Sequence, residues 1–144
     1  MDFDFSQDEK MLREQVRKML SARCDSGAVR SVFEGREAYA SHVWQGLVEM
    51  GVMATAIPEE YGGVGAGYPS LCLVAEQLGA HLAPTPFSSS VYLATEALLL
   101  FGTEAQKQAW LPRLAAGEII GTLAVTETVA QATADSIQLA FADG

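Results

Sequence analysis

The sequence predicts a mainly α chain, a multi-helical bundle followed by the first strands of a β-domain. Three observations predict it. Two capping boxes, Ser6 with Glu9 and Thr103 with Gln106, each put a hydroxyl three residues before a side chain that can reach back to it, which starts a helix. Between them, apolar residues recur at helical spacing and glycines mark where the runs stop. After Gly117 the pattern changes, and Ile119, Ile120, Leu123 and Val125 fall in a β-favouring run over 119–126. The boundary between a helical part, 1–117, and a sheet part, 118–144, is therefore set at Gly117.

The elements follow in order. From Ser6 a helix runs to about Ala22, with Met11, Leu12, Val16, Met19 and Leu20 as its apolar stripe. Lys10, Arg13, Arg17 and Lys18 lie mostly outside that stripe and read as a solvated face rather than an anion site. Residues 26–39 read as a short helix and a loop, with Gly35 arguing against anything longer. A helix over 42–50 carries Trp44, Leu47 and Val48 on one side and stops at Gly51. His42 has no partner acid at useful spacing, so it is read as a surface or capping histidine. A short apolar link, 52–57, leads into PEEYGGVGAG at 58–67, whose four glycines and proline demand a loop of unusual backbone angles. No Lys-Ser or Lys-Thr follows it, so it is not a phosphate loop.

The helix over 69–82 tolerates Pro69 near its start. It is apolar around most of its circumference, as is the helix over 91–101, where Thr95 and Glu96 are nearly the only polar breaks. Such helices either pack centrally or await a surface supplied from elsewhere. Between them, LAPTPFSSS at 82–90 offers Ser88 or Ser89 as an N-cap, and His81 reads as a helix-end residue. Gly102 is expected to stop the helix before it through a positive φ. Pro112 is expected to break or kink the helix that starts at Thr103, because it lacks an N–H and its ring crowds the preceding turn. Beyond Glu127, 128–135 reads as a loop, and Ile137, Leu139 and Phe141 alternate as a half-buried strand. Asp143-Gly144 is a hairpin-turn signal. Two strands with an open edge are marginal, so the sheet reads as unfinished.

Composition narrows the function. With 49% hydrophobic residues in 144, the chain is long enough for one core and is not disordered. Its net charge is −9, and after Glu37 only Lys107 and Arg113 remain against ten acids. That surface repels nucleic acid and anionic membranes, and it cannot neutralise a diphosphate with its own cations. Any such ligand needs backbone N–H groups or another segment. Cys24 and Cys72 are far apart without metal-ligand spacing, which reads as two reduced thiols in a cytoplasmic protein. The acidic MDFDF start does not resemble a signal or transit peptide, and no apolar run reaches membrane-spanning length. No Ser/His/Asp set, metal cluster or GxGxxG is present.

The opening helix FSQDEKMLREQVRKML, the run ending PEEYGGVG, AEQLG at 75–79, GTEAQKQAWLPRLAAGE at 102–118 and LAVTE at 123–127 together resemble the N-terminal part of the acyl-CoA dehydrogenase family. The order and spacing of PEEYGG and GTEAQKQ…LPRLA…GE are specific in combination. The resemblance implies an N-terminal helical domain, a middle β-domain and a C-terminal helical domain. It implies FAD as cofactor and an acyl-CoA thioester as substrate, desaturated at its α and β carbons. Electron-transfer flavoprotein or a similar acceptor is the implied redox partner, and a homo-oligomer or a heteromeric partner subunit the implied assembly. The family's aromatic-x-Val-Thr-Glu strand motif matches as 123–127, with Leu123 in place of the aromatic. By that match Val125 and Thr126 are flavin contacts and Leu123 a packing contact. Thr85, Ser89 and Ser90 fall where the family closes the base of its acyl pocket, although caps and loops use the same residues. The family continues Pro-x-Ala-Gly-Ser-Asp, whereas this chain has Thr128, Val129, Ala130, Gln131, Ala132 and Thr133, of which only Ala130 agrees. No catalytic base is carried over, since in the family it comes from the C-terminal domain or a helix near it. The chain alone is therefore expected to be inactive.

Three readings stay open on these residues. The chain is part of a flavin-dependent acyl-CoA dehydrogenase, a subunit of a heteromeric one acting on steroid or dicarboxylic CoA thioesters, or a helical interaction module without redox chemistry.

Overall fold

The computed structural model describes residues 4–124. They form six α-helices: α1 (Gln7–Arg23), α2 (Ser26–Phe33), α3 (Ser41–Glu49), α4 (Gly67–Ala80), α5 (Glu96–Phe101) and α6 (Glu104–Ala115). A π-helical stretch, Ser88–Thr95, leads directly into α5. Short 3-10 turns at Val52–Ala54 and Glu59–Tyr61 bracket the start of the glycine-rich loop.

Both capping boxes form. Ser6 Oγ accepts from the Glu9 N–H at 3.2 Å while Glu9 Oε2 accepts from the Ser6 N–H at 2.8 Å. Thr103 and Gln106 make the same exchange at the head of α6. At the other end of α1, His42 Nε2 lies 2.9 Å from the Arg23 carbonyl, so this histidine caps a helix. His81 ends α4, with Nδ1 2.9 Å from the Gln77 carbonyl and Nε2 3.2 Å from Ser21 Oγ.

Two apolar cores result. In the larger, α1 lies on α3 and α4, and Val16, Leu20, Leu47 and Val74 are wholly buried together with Phe87 below the π-helix. A Cβ at Gly46 would stand 2.8 Å from Met19 Sδ, so the glycine lets α3 close on α1. In the smaller core, Leu111, Leu114 and Ala115 of α6 pack on Ile57 and Tyr61. α4 thus packs centrally, although Cys72 is exposed.

The loop at 58–67 is built from its own backbone. The N–H groups of Gly63, Val64, Gly65 and Ala66 donate to the carbonyls of Pro58, Ala54, Ile57 and Thr55. A Cβ at Gly63 would fall 1.8 Å from the Ile57 carbonyl oxygen, so only glycine admits this fold-back. With those donors used internally, they are not available to cradle a phosphate.

Four expectations are corrected. Of the break or kink expected at Pro112, the break does not occur: α6 continues to Ala115. Leu111 and Leu114 on either side of it are buried in the smaller core, and that packing outweighs one missing N–H in the last turns. Gly102 stops α5 with φ −68°, not a positive φ. It is glycine because a Cβ there would sit 2.5 Å from the Leu98 carbonyl oxygen. Gly117 is the residue that takes the left-handed turn, at φ 66°, closing α6. Neither Ser88 nor Ser89 caps its helix, because the helical turns begin earlier, with Phe87 at the cap position and no side-chain cap. Finally, 119–124 forms no strand among the described residues, since no described segment pairs with it in a ladder. The rest of that expected strand, and the one around Ile137, lie outside the described residues.

Candidate functional site

Two sides of the helix running over 88–101 carry the residues in question. On one side it holds the segment that leaves α6. Ser90 is buried, and its Oγ accepts from the Gly121 N–H at 3.2 Å. A Cβ at Gly121 would stand 2.5 Å from Ala94 Cβ, so glycine is what allows the segment to lie flat on the helix. Thr95, also buried, donates its hydroxyl to the Ser90 carbonyl at 2.9 Å, five residues back along the π-helix. Ile120 and Leu123 remain exposed on the segment. Beside it, a cavity of about 430 Å³ opens between α5 and α6, walled by Ala97, Leu98, Phe101, Trp110, Leu114 and Ile119.

The other side faces α4. There a cavity of about 380 Å³ is lined by Leu78, Leu82, Thr85, Phe87 and Tyr92. A second, of about 280 Å³, is lined by Tyr68, Leu71, Cys72, Tyr92 and Glu96. Ala75 and Tyr92 belong to both, so they are two lobes of one groove. Thr85 Oγ1, Tyr92 O–H and Glu96 Oε1 are buried in it without a hydrogen-bond partner. Glu96 Oε2 accepts from the Tyr68 O–H at 2.8 Å, and that bond holds the Tyr68 phenol above its ordinary pKa. Burial pushes the Tyr92 phenol up to about 12, so it stays a protonated donor.

The residues singled out in the sequence are distributed as follows. Thr85 lines the groove. Ser89 donates its hydroxyl to the Pro86 carbonyl at 3.0 Å, and Ser90 ties down Gly121. Leu123 is on the segment that follows α6, and Val125 and Thr126 lie outside the described residues. Tyr92 and Glu96 were not singled out as site residues. Their signal was present in the sequence as a tyrosine and a glutamate four apart on a mostly apolar helix.

Among the described residues after Glu37, both cations are already paired. Lys107 pairs with Glu104 at 3.3 Å and Arg113 with Glu118 at 3.7 Å, and the Arg113 guanidinium also lies over the Trp110 ring at 5.3 Å.

The family model for the acyl-CoA dehydrogenase N-terminal domain matches residues 6–118. The chain belongs to the acyl-CoA dehydrogenase family. It is 36% identical over 119 residues to (2S)-methylsuccinyl-CoA dehydrogenase of Cereibacter sphaeroides, covering 82% of this chain and 22% of that one. The ChsE4–ChsE5 complex of Mycobacterium tuberculosis is similar in structure, with a TM-score of 0.80 and 29% identity over 91% of this chain and 36% of that chain. An acyl-CoA dehydrogenase complexed with FAD from Bacillus anthracis gives a TM-score of 0.75 and 29% identity over 87% of this chain and 21% of that one. This acyl-CoA dehydrogenase chain thus spans between about a fifth and about a third of the length of these relatives.

Proposed function

We propose that this chain is the N-terminal part of an FAD-dependent acyl-CoA dehydrogenase that desaturates an acyl-CoA thioester at its α and β carbons. The observation that carries the reading is the family match over 6–118, which includes every helix described. On this reading the helical part, 1–117, is one domain and 118–144 opens the β-domain. FAD, when bound, supplies the hydride acceptor. The chain's own residues supply placement. Ser90 and Gly121 fix where the 118–124 segment leaves the bundle, and so fix where Leu123 meets the ring. Val125 and Thr126 follow as the next contacts along the same segment. Thr85 and Ser89 stand at the start of the same helix as candidate walls for the acyl group. The proton-abstracting base comes from outside these residues. Electron-transfer flavoprotein or a similar acceptor takes the electrons, and the setting is cytoplasmic.

A second reading, a non-catalytic subunit of a heteromeric dehydrogenase, is favoured by one observation. Residues 128–133 depart from the family's pattern, which supplies a glycine and a serine there. The structural relative of highest similarity reported above is itself a two-component complex.

The test uses two samples, the chain alone and the assembly captured through it from its host. The chain alone is expected to turn over no acyl-CoA with an artificial electron acceptor, and the assembly to do so. Turnover by the chain alone contradicts an external base. An inactive assembly contradicts the dehydrogenase reading itself.

A further inference from the structure

A cavity of about 530 Å³ lies where the end of α1, α2 and the end of α4 meet. It shares no residue with the cavity between α5 and α6, and only Leu82 with the groove facing α4. Two large apolar side chains in its wall stand out in water: Phe33 is 89% exposed and Leu82 72%. Leu82 also has φ 50°, the one positive φ at a non-glycine among the described residues. That conformation crowds its Cβ against the following carbonyl. A strained backbone that holds a leucine out in water is costly in the chain alone, and no described residue supplies the burial that would offset it.

The polar groups of the wall narrow what can cover it. Burial pushes the Cys24 thiol above its ordinary pKa, so it adds no charge, and its Sγ lies 3.6 Å from the His81 carbonyl. Asp25 Oδ1 accepts from the Ala28 N–H at 2.9 Å as the cap of α2. Both ring nitrogens of His81 are engaged, with the Gln77 carbonyl and with Ser21. Arg30 differs from all of these. Seven of the nine Lys and Arg sit in ion pairs, whereas Arg30, beside Val29 in this wall, makes none among the described residues. An aromatic residue and an unpaired arginine at the edge of one apolar cavity are the side chains that dominate binding at protein interfaces. The arginine asks for a carboxylate, which it can hold through two parallel N–H donors. A second copy of this chain is the poorer occupant, because it brings its own net charge of −9 against this one.

We propose that this cavity docks a segment of another protein that presents a bulky apolar side chain next to a carboxylate. The side chain enters between Phe33 and Leu82, and the carboxylate pairs with Arg30. Nothing in this docking depends on flavin, acyl-CoA or turnover.

The experiment is surface plasmon resonance with the full chain immobilised, at physiological salt, which screens long-range attraction. The probe is the peptide acetyl-Gly-Lys-Ala-Phe-Glu-Lys-Gly-amide. Saturable binding is expected. Replacing the peptide's Glu by Gln should weaken it about three- to tenfold, and its Phe by Ala at least about tenfold. On Arg30→Gln the Glu and Gln peptides should bind equally, since the pair that tells them apart is gone. Phe33→Ser should weaken the original peptide at least about threefold yet melt within about 2 °C of the parent chain, because Phe33 is almost wholly exposed. That unchanged melting rules out misfolding as the cause of weaker binding. No saturable binding, a Glu-to-Gln loss that persists on Arg30→Gln, or Phe33→Ser binding as the parent does would each overturn the proposal. So would 3-phenylpropionate binding as tightly as the peptide, which makes the site one for a small molecule. Loss of self-association in Phe33→Ser at sedimentation equilibrium, with no peptide bound by the parent, would overturn it in favour of a second copy. Every readout is taken without flavin or acyl-CoA, so this proposal and the dehydrogenase reading fail separately.

Discussion

Gly63 and Gly79 show how differently one residue type is used in this chain. A methyl at Gly63 would meet the Ile57 carbonyl oxygen at 1.8 Å, and the loop cannot relax without losing its four backbone bonds. Gly63→Ala is expected to cost about 2–4 kcal/mol in urea unfolding. Gly79 lies inside α4 with nothing within 4 Å of an added Cβ. Gly79→Ala should stabilise by about 0.5–1 kcal/mol, through helix propensity and a less free unfolded chain. Equal effects at both positions would show that the loop geometry described is wrong. Gly102 and Gly121 mark the limit of what a sequence tells at this scale. That a glycine was needed at Gly102 was legible. That the reason is close approach to Leu98, and not a left-handed turn, depends on a neighbour only the fold reveals. Likewise Ser90 read as a pocket residue because of its position, whereas its hydroxyl is committed to a backbone 31 residues away.

At the scale of elements, local chemistry was the most readable. Capping boxes, the stop at Gly117 and the end of α4 follow from interactions within a few residues, and they formed as the spacing implied. Thr103→Ala should therefore cost about 1 kcal/mol and leave the m-value unchanged. What the sequence hid were outcomes settled by packing: α6 continuing through Pro112, and the π-helical turns at 88–95. Tyr61 ties two such elements together. Its O–H donates to Glu104 Oε2 at 2.8 Å, fastening the glycine-rich loop to α6. That bond first, and burial second, raise the Tyr61 phenol to about 12. The same bond, with Lys107, holds the Glu104 carboxyl below its ordinary 4.5. The signs differ at the two ends. A raised phenol contributes stability that is present below pH 10 and is lost as pH rises towards about 12. A lowered carboxyl contributes stability that is present above 4.5 and is lost as pH falls through the lower folded value. The melting-temperature gap between the parent and Tyr61→Phe should be constant across the neutral range and shrink at both extremes. A gap independent of pH would mean that the bond does not form.

At the scale of the whole molecule, large apolar side chains stay exposed after residue 92. Leu100 is 68% exposed and Phe101 85%, and Leu93, Trp110, Ile120 and Leu123 are exposed with them on the 88–101 helix, α6 and the segment after it. Part of this was legible: a helix broken almost only at Thr95 and Glu96 either sits centrally or awaits a surface, and here its first half is buried while α5 has no buried residue. Such a patch on a chain spanning about a third or less of its relatives' length fits a bundle that docks on a larger flavin-bearing body. Leu100→Ser with Phe101→Ser should make the chain alone more soluble and less self-associated at sedimentation equilibrium, and should weaken its retention in the host assembly. Unchanged behaviour in both would remove the docking role. The family was readable because PEEYGG and the α6 region are short, contiguous motifs. The site was less so, because its atoms come together only when α4 and the 88–101 helix pack.

The most direct measurement is an anaerobic visible spectrum of the assembly captured from its host through this chain, before and after an acyl-CoA is added. The account predicts flavin absorption that bleaches on addition of the thioester, with the chain alone remaining colourless. A colourless assembly, or a flavin spectrum that no acyl-CoA changes, would contradict it.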